Sequence, residues 1–160
     1  MRSLVKVAVC IAALVGVFGA GWFVANLGVG SEVVFEDLNE LEQQFVERMQ
    51  GVVLVGHFTV EGQENPSGNP ERYEIESVTK VGENSWRFNT HLTYGNIDAT
   101  LPIVMPIVWA GDTPMVSITD FSIPTLGTFT SRVIFYSDRY AGSWQHGEYG
   151  GVMYGTITRP

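Results

Sequence analysis

Cysteine is nearly absent from this chain: Cys10 is the only one in 160 residues. No intramolecular disulfide can form, and the cysteine-based zinc sites are excluded. Lysine is scarce too. After Lys6 only Lys80 remains, and from Ser31 onward 17 acidic residues stand against 7 basic ones, a net charge of −10. That field argues against nucleic acid, whose phosphates are bound by basic patches. It equally disfavours docking on anionic lipid headgroups. The histidines His57, His91 and His146 share no metal-ligand spacing, so no metal is expected. The chain has no Gly-x-Ser-x-Gly elbow and no Walker loop. No catalytic motif and no cofactor site emerges.

What is present begins with polarity at the N-terminus. Arg2 and Lys6 precede an apolar run from Val7 to Val29 whose one strongly polar member is Asn26. A span of about 20 apolar residues matches the hydrocarbon thickness of a bilayer. Basic residues stay on the cytoplasmic side, which sets the N-terminus inside and the remainder outside. Residues 4–27 thus read as a membrane helix within a targeting segment, 1–30. Two outcomes stay open. As an uncleaved anchor, the segment holds the domain outside the cytoplasmic membrane. As a signal peptide cut after Gly28-Val29-Gly30, it releases a periplasmic or secreted domain. The apolar stretch exceeds the roughly 7–15 residues of an ordinary signal, which favours the anchor.

Residues 31–50 read as a short amphipathic helix. Phe35, Leu38, Leu41, Phe45 and Met49 recur at spacings of three and four. Acidic residues crowd its start, Arg48 lies near its end, and Gly51 is a natural stop. Asp37 with Glu40 suggests a capping box. The stripe is expected to bury against the open end of the following sheet, with a partner protein as the alternative.

From Gly51 the period changes to two. Segments 52–61, 72–80, 86–94, 97–109, 115–121, 127–136, 139–146 and 152–158 read as strands joined by turns rich in Gly, Pro, Asn and Asp. The fold class is therefore all-β. Eight short strands joined by tight turns suit an up-and-down barrel or a sandwich, and the expected architecture is the eight-stranded antiparallel up-and-down barrel, over residues 51–160. Trp86, Phe88, Leu92 and Tyr94 share one face of their strand with Thr90, while Arg87, Asn89, His91 and Thr93 share the other. Tyr73 and Ile75 alternate with Arg72, Glu74 and Glu76 in the same manner. Segment 97–109 differs, being apolar on both faces and carrying Pro102 and Pro106. It is expected to be covered by the helix, a membrane or a partner, and the prolines suggest an edge, a bulge or a bend. Asp112 is expected to be a turn residue, and His91 beside Arg87 a possible anion contact on a polar face. Gly142, Gly147, Gly150, Gly151 and Gly155 cluster near the end, as closure of a curved sheet requires.

An eight-stranded exported barrel with Tyr140-Ala141-Gly142-Ser143-Trp144 resembles the calycins, the lipocalin and avidin group. Lipocalins carry a Gly-x-Trp on their first strand, whereas Gly142-x-Trp144 falls on the seventh here. The stretches Trp109-Ala110-Gly111-Asp112-Thr113-Pro114 and Tyr140 to Gly147, with Gly150 to Gly155, are similar to a family of small exported bacterial β-barrels of unassigned function. The calycin resemblance implies a lipocalin-like binding cavity and carries no ligand residue across.

Three functions are compatible with these features. The first is an exported, non-enzymatic binding module for a small apolar or amphipathic ligand, lined by Trp86, Phe88, Trp109 and Trp144. The second is a structural or interaction protein of the cell envelope with a filled barrel and a protein partner. The third is a hydrolase whose acids converge only in three dimensions.

Overall fold

The computed structural model describes residues 32–65, 67–94, 96–123 and 126–160. The targeting segment 1–30, with its membrane helix 4–27, lies outside them. No helix among the described residues is long and apolar enough to cross a membrane.

Eight antiparallel strands run in sequence order: β1 (Val52–Phe58), β2 (Asn69–Lys80), β3 (Ser85–Tyr94), β4 (Ile97–Ala110), β5 (Thr113–Ile123), β6 (Gly127–Tyr136), β7 (Arg139–His146) and β8 (Tyr149–Thr158). Each pairs with its neighbours, and β8 returns to β1 from Val53↔Thr158 to Phe58↔Met153, closing the barrel. Closure removes the edges that an open sheet would leave unpaired. Side chains alternate between wall and solvent, so Leu54, Ile75, Phe88, Leu92, Val116 and Val133 point inward and are buried.

Hairpin chemistry explains the short connections. Gly111 and Gly147 take the positive φ needed at the first central position of a two-residue hairpin, at +68° and +60°. Ser137 adopts φ +54° in the matching position between β6 and β7.

The expected helix over 31–50 is broken in two. A 3-10 turn spans Phe35–Asp37, and α1 spans Glu40–Met49. Leu38 is extended between them, so the stripe is not one helical face. The capping box belongs to Asn39 and Glu42 rather than Asp37 and Glu40. The Asn39 side chain accepts from the Glu42 N–H at 3.0 Å, and the Asn39 N–H donates to the Glu42 carboxylate at 3.2 Å. Asn competes well for that position because its short side chain reaches back to the helix start. Of the stripe, Leu38, Phe45 and Met49 are buried, whereas Phe35 and Leu41 remain exposed.

α1 closes one end of the barrel. Phe45 meets Trp86, Phe88 and Trp109 edge-on, with ring centroids 5.2, 6.2 and 5.9 Å away. Polar ties hold the helix there. Glu42, itself buried, pairs with Lys80 of β2 at 2.5 Å, and the Lys80 ammonium lies 5.9 Å from the Trp86 ring centre. Arg159 donates to the Glu47 and Gln50 carbonyls at 2.5 and 3.1 Å, satisfying groups that a helix C-terminus leaves open. The opposite end carries the connections β1–β2, β3–β4, β5–β6 and β7–β8.

The helix therefore covers the barrel's end and not the outer face of β4. That face shows Pro102 to solvent, with Val104, Pro106 and Val108 half-buried. The prolines act on the ladder instead. The Ile107 N–H donates to Asn84, on the β3 side, at 2.9 Å. Strand alternation then turns positions 102 and 106 toward β5, where proline has no donor to offer. The β4–β5 ladder accordingly runs only from Ile107↔Val116 to Ala110↔Thr113. Beyond it, among the described residues, β4 pairs with β3 alone. The expectation of an edge is met locally, inside a barrel that is otherwise closed.

Candidate functional site: an apolar barrel cavity with one buried carboxyl

Inside the barrel lies a cavity of about 520 Å³, running from the floor above α1 to the loops of the opposite end. Its wall is apolar, built by inward residues such as Leu54, Ile75, Phe88, Ile103, Val116 and Met153. Gln63, Asn96, His146 and Tyr149 surround the mouth. The volume falls within the roughly 300–1,000 Å³ of small-molecule sites, which combine apolar walls with few polar groups.

The notable polar group is Glu71, 4% exposed and the one carboxylate among the described residues lining the cavity. Among the described residues no lysine or arginine lines it. One Glu71 oxygen accepts from the Tyr140 hydroxyl and the other from the Tyr73 hydroxyl, both at 2.8 Å.

Strand register explains how Tyr140 reaches so far. Tyr140 pairs with Gly155, Gly155 with Gly56, and Gly56 with Glu71. These four residues thus form one row across β7, β8, β1 and β2. Three strand spacings of about 4.8 Å separate the two ends of the row. A tyrosine and a glutamate bridge that distance only if nothing rises between them. The two middle positions are glycines. A methyl on Gly56 would overlap the Tyr140 hydroxyl, and one on Gly155 would stand 2.6 Å from the Tyr140 ring. The phenol lies across bare backbone and donates its hydrogen bond to Glu71.

Burial raises the Glu71 carboxyl above the ordinary carboxylate range, partly countered by the two phenol hydrogen bonds and by the charge of nearby His57. Burial, and then the adjacent carboxylate, push the Tyr140 phenol far upward, so it remains a donor. A carboxyl raised on folding binds its proton more tightly in the folded state. Stability therefore falls as pH rises from the unfolded value, about 4.3, through the folded one. The stability of the wild type relative to Glu71→Gln should decline across that window and then level off, as read by urea midpoints. A difference that stays flat between about pH 4 and about pH 8 would contradict this assignment.

The four aromatic residues singled out from sequence divide into two pairs. Phe88 and Trp144 line the cavity. Trp144 sits near the mouth, donating to the Thr59 carbonyl at 3.2 Å and meeting Phe58 edge-on at 5.8 Å. Trp86 and Trp109 pack around Phe45 in the floor. His91 and Arg87 do not form a joint anion contact. His91 bonds Thr100 at 2.9 Å and Asp98 at 3.2 Å, while Arg87 pairs with Glu32. His57 is exposed on the outer wall beside Tyr154. Asp112 is a turn residue, as expected, and accepts from the Thr113 hydroxyl at 3.2 Å. No cluster of three metal-ligating side chains occurs among the described residues.

Sequence reading missed Glu71, although a signal was present. The alternation that turns Tyr73 and Ile75 inward turns Glu71 inward too, two residues earlier on the same strand. Comparison with known protein families, curated proteins and solved structures found no match.

Proposed function

We propose that this chain is an exported, non-enzymatic binding module whose barrel holds one small, largely apolar ligand. The observation that carries the reading is the 520 Å³ cavity, apolar along its wall and reached from the end opposite α1. A filled structural barrel would place side chains where that space lies. The calycin resemblance accords with this reading, though fold alone assigns no ligand.

Export rests on the apolar run after Arg2 and Lys6. The described chain begins at the capped end, where the Val33 N–H donates to the Lys80 carbonyl at 2.9 Å. An anchor at 4–27 would thus hold the helix-capped end toward the membrane and leave the mouth facing away. A C-terminal alkaline phosphatase fusion, active only outside the cytoplasm, tests the export; an inactive, stably produced fusion would refute it.

Binding is tested with N-phenyl-1-naphthylamine, a neutral probe that brightens in apolar surroundings. The wild type should give saturable one-site binding. Ser131 lines the cavity between Ile118 and Trp144 in register, so Ser131→Trp should fill it and weaken the probe at least about tenfold. Absent binding, or binding indifferent to the tryptophan in a folded variant, would refute the reading.

A further inference from the structure

The cavity contains a chemical preference as well as a volume. Resting on the binding reading above, we infer that its ligand is a hydrophobic amine: an apolar body with one protonated nitrogen seated on Glu71.

The geometry leaves room for that contact. An ionised carboxylate offers about four acceptor positions on its two oxygens. Tyr140 and Tyr73 each supply one donor, one to each oxygen. Glu71 also borders the cavity, so its remaining acceptor capacity is reached from inside. The phenols contribute hydrogen bonds but no positive charge. Among the described residues neither lysine nor arginine lines the space, His146 stands at the mouth away from the apolar wall, and His57 lies on the outer face of β1. A charge in an apolar enclosure is costly unless paired. A bound ammonium is the group that would complete it, with its chain lying along Leu54, Ile75, Phe88 and Met153.

Other ligand heads fit less well. A carboxylate would face Glu71 directly, with no lysine or arginine among the described lining residues and only His146, out at the mouth, able to offset it. A hydroxyl could donate to Glu71 but would leave the charge unmatched. The long-range field points the same way. From Ser31 onward the chain carries a net charge of −10, which draws cations toward the molecule and repels anions.

The experiment compares three ligands of equal chain length on the full-length protein, kept soluble with an amphipathic polymer. Octylamine, 1-octanol and octanoate each displace N-phenyl-1-naphthylamine near neutral pH. Octylamine should displace the probe about tenfold more strongly than octanol, the increment of a charge-assisted hydrogen bond, and octanoate should be weakest. Glu71→Gln should lose the amine preference, read as the ratio of octylamine to octanol affinity within that variant. Equal affinity for amine and alcohol, a preference surviving in a folded Glu71→Gln, or octanoate as the tightest ligand would each overturn the amine assignment. In those cases probe binding would still stand. A wild type that takes up no probe would instead sink the binding reading itself. Should Glu71→Gln fail to fold, the wild type alone decides. Its amine preference should fade as acidification protonates Glu71, and a preference unchanged by pH would overturn the inference.

Discussion

Phe45→Ala is expected to destabilise the protein by about 3–5 kcal/mol, the range for removing a fully buried phenylalanine. Phe45 is 1% exposed and is the ring around which Trp86, Phe88 and Trp109 assemble, each edge-on. Three aromatic contacts lose their common partner at once, and edge-to-face pairs contribute roughly 0.5–1.5 kcal/mol beyond area burial. The surrounding groups have little freedom to refill the space. Trp86 is fixed in β3 with Lys80 over its ring, and Trp109 belongs to the short β4–β5 ladder.

The consequence reaches function because the lost ring is part of the floor. Phe88, one of its partners, also lines the cavity. A void under Phe88 would loosen the wall at the depth where a ligand's apolar end rests. Probe affinity should therefore fall along with stability. Leu41→Ala provides the contrast on the same helix. Leu41 is 40% exposed, and its loss should stay within about 0.5 kcal/mol. Urea unfolding of the two variants checks both values. A loss below about 1.5 kcal/mol for Phe45→Ala would mean that α1 rests on the barrel without closing it.

How far such features were legible depends on the kind of signal each leaves. Most strands were legible because inside and outside residues alternate, as in Trp86, Phe88, Thr90 and Leu92 of β3, whereas the slips between Ile75 and Ser77 and between Ile118 and Phe121 were not. The meander order was legible as well, since tight turns such as Gly111-Asp112 pair consecutive strands, but the closing β8–β1 pairing left no local signal to separate a barrel from a sandwich. The break at Leu38 was not. Period counting sees Phe35, Leu38 and Leu41 as one stripe, while the Asn39 cap that starts the true helix is a matter of local hydrogen bonding. The division of the tryptophans was hidden for another reason. Parity places Trp86 and Phe88 on the same inner face, but only depth along the axis separates floor from cavity wall. Glu71 was half-visible: its parity was in the sequence, but its partner lies 69 positions away on β7. No local pattern announces a contact made through register across four strands.

The same register makes Gly56 the second position of large effect. Gly56→Ala is expected to cost about 3–5 kcal/mol, far more than one added methyl would suggest. The methyl would overlap the Tyr154 carbonyl oxygen and the Tyr140 hydroxyl, and stand 2.8 Å from the Gly155 Cα. Overpacking of this kind costs roughly 1–3 kcal/mol where neighbours can shift. Here two of the three obstacles are backbone of a paired strand. The third is the phenol that serves Glu71, and displacing it adds the loss of a hydrogen bond to a charged group, about 1.5–3 kcal/mol. Tyr140→Phe isolates that second component. It removes the donor, keeps the ring over the glycines, and should cost about 1.5–3 kcal/mol alone. The two changes strike one contact, so they should not add. In a double-mutant cycle, Gly56→Ala with Tyr140→Phe should cost at least about 1 kcal/mol less than the sum of the single variants. Additive costs would mean that the glycine serves only the closing of the wall. A clear shortfall would mean that Gly56 is bare so that Tyr140 can reach Glu71, tying a small residue on β1 to the chemistry of the cavity.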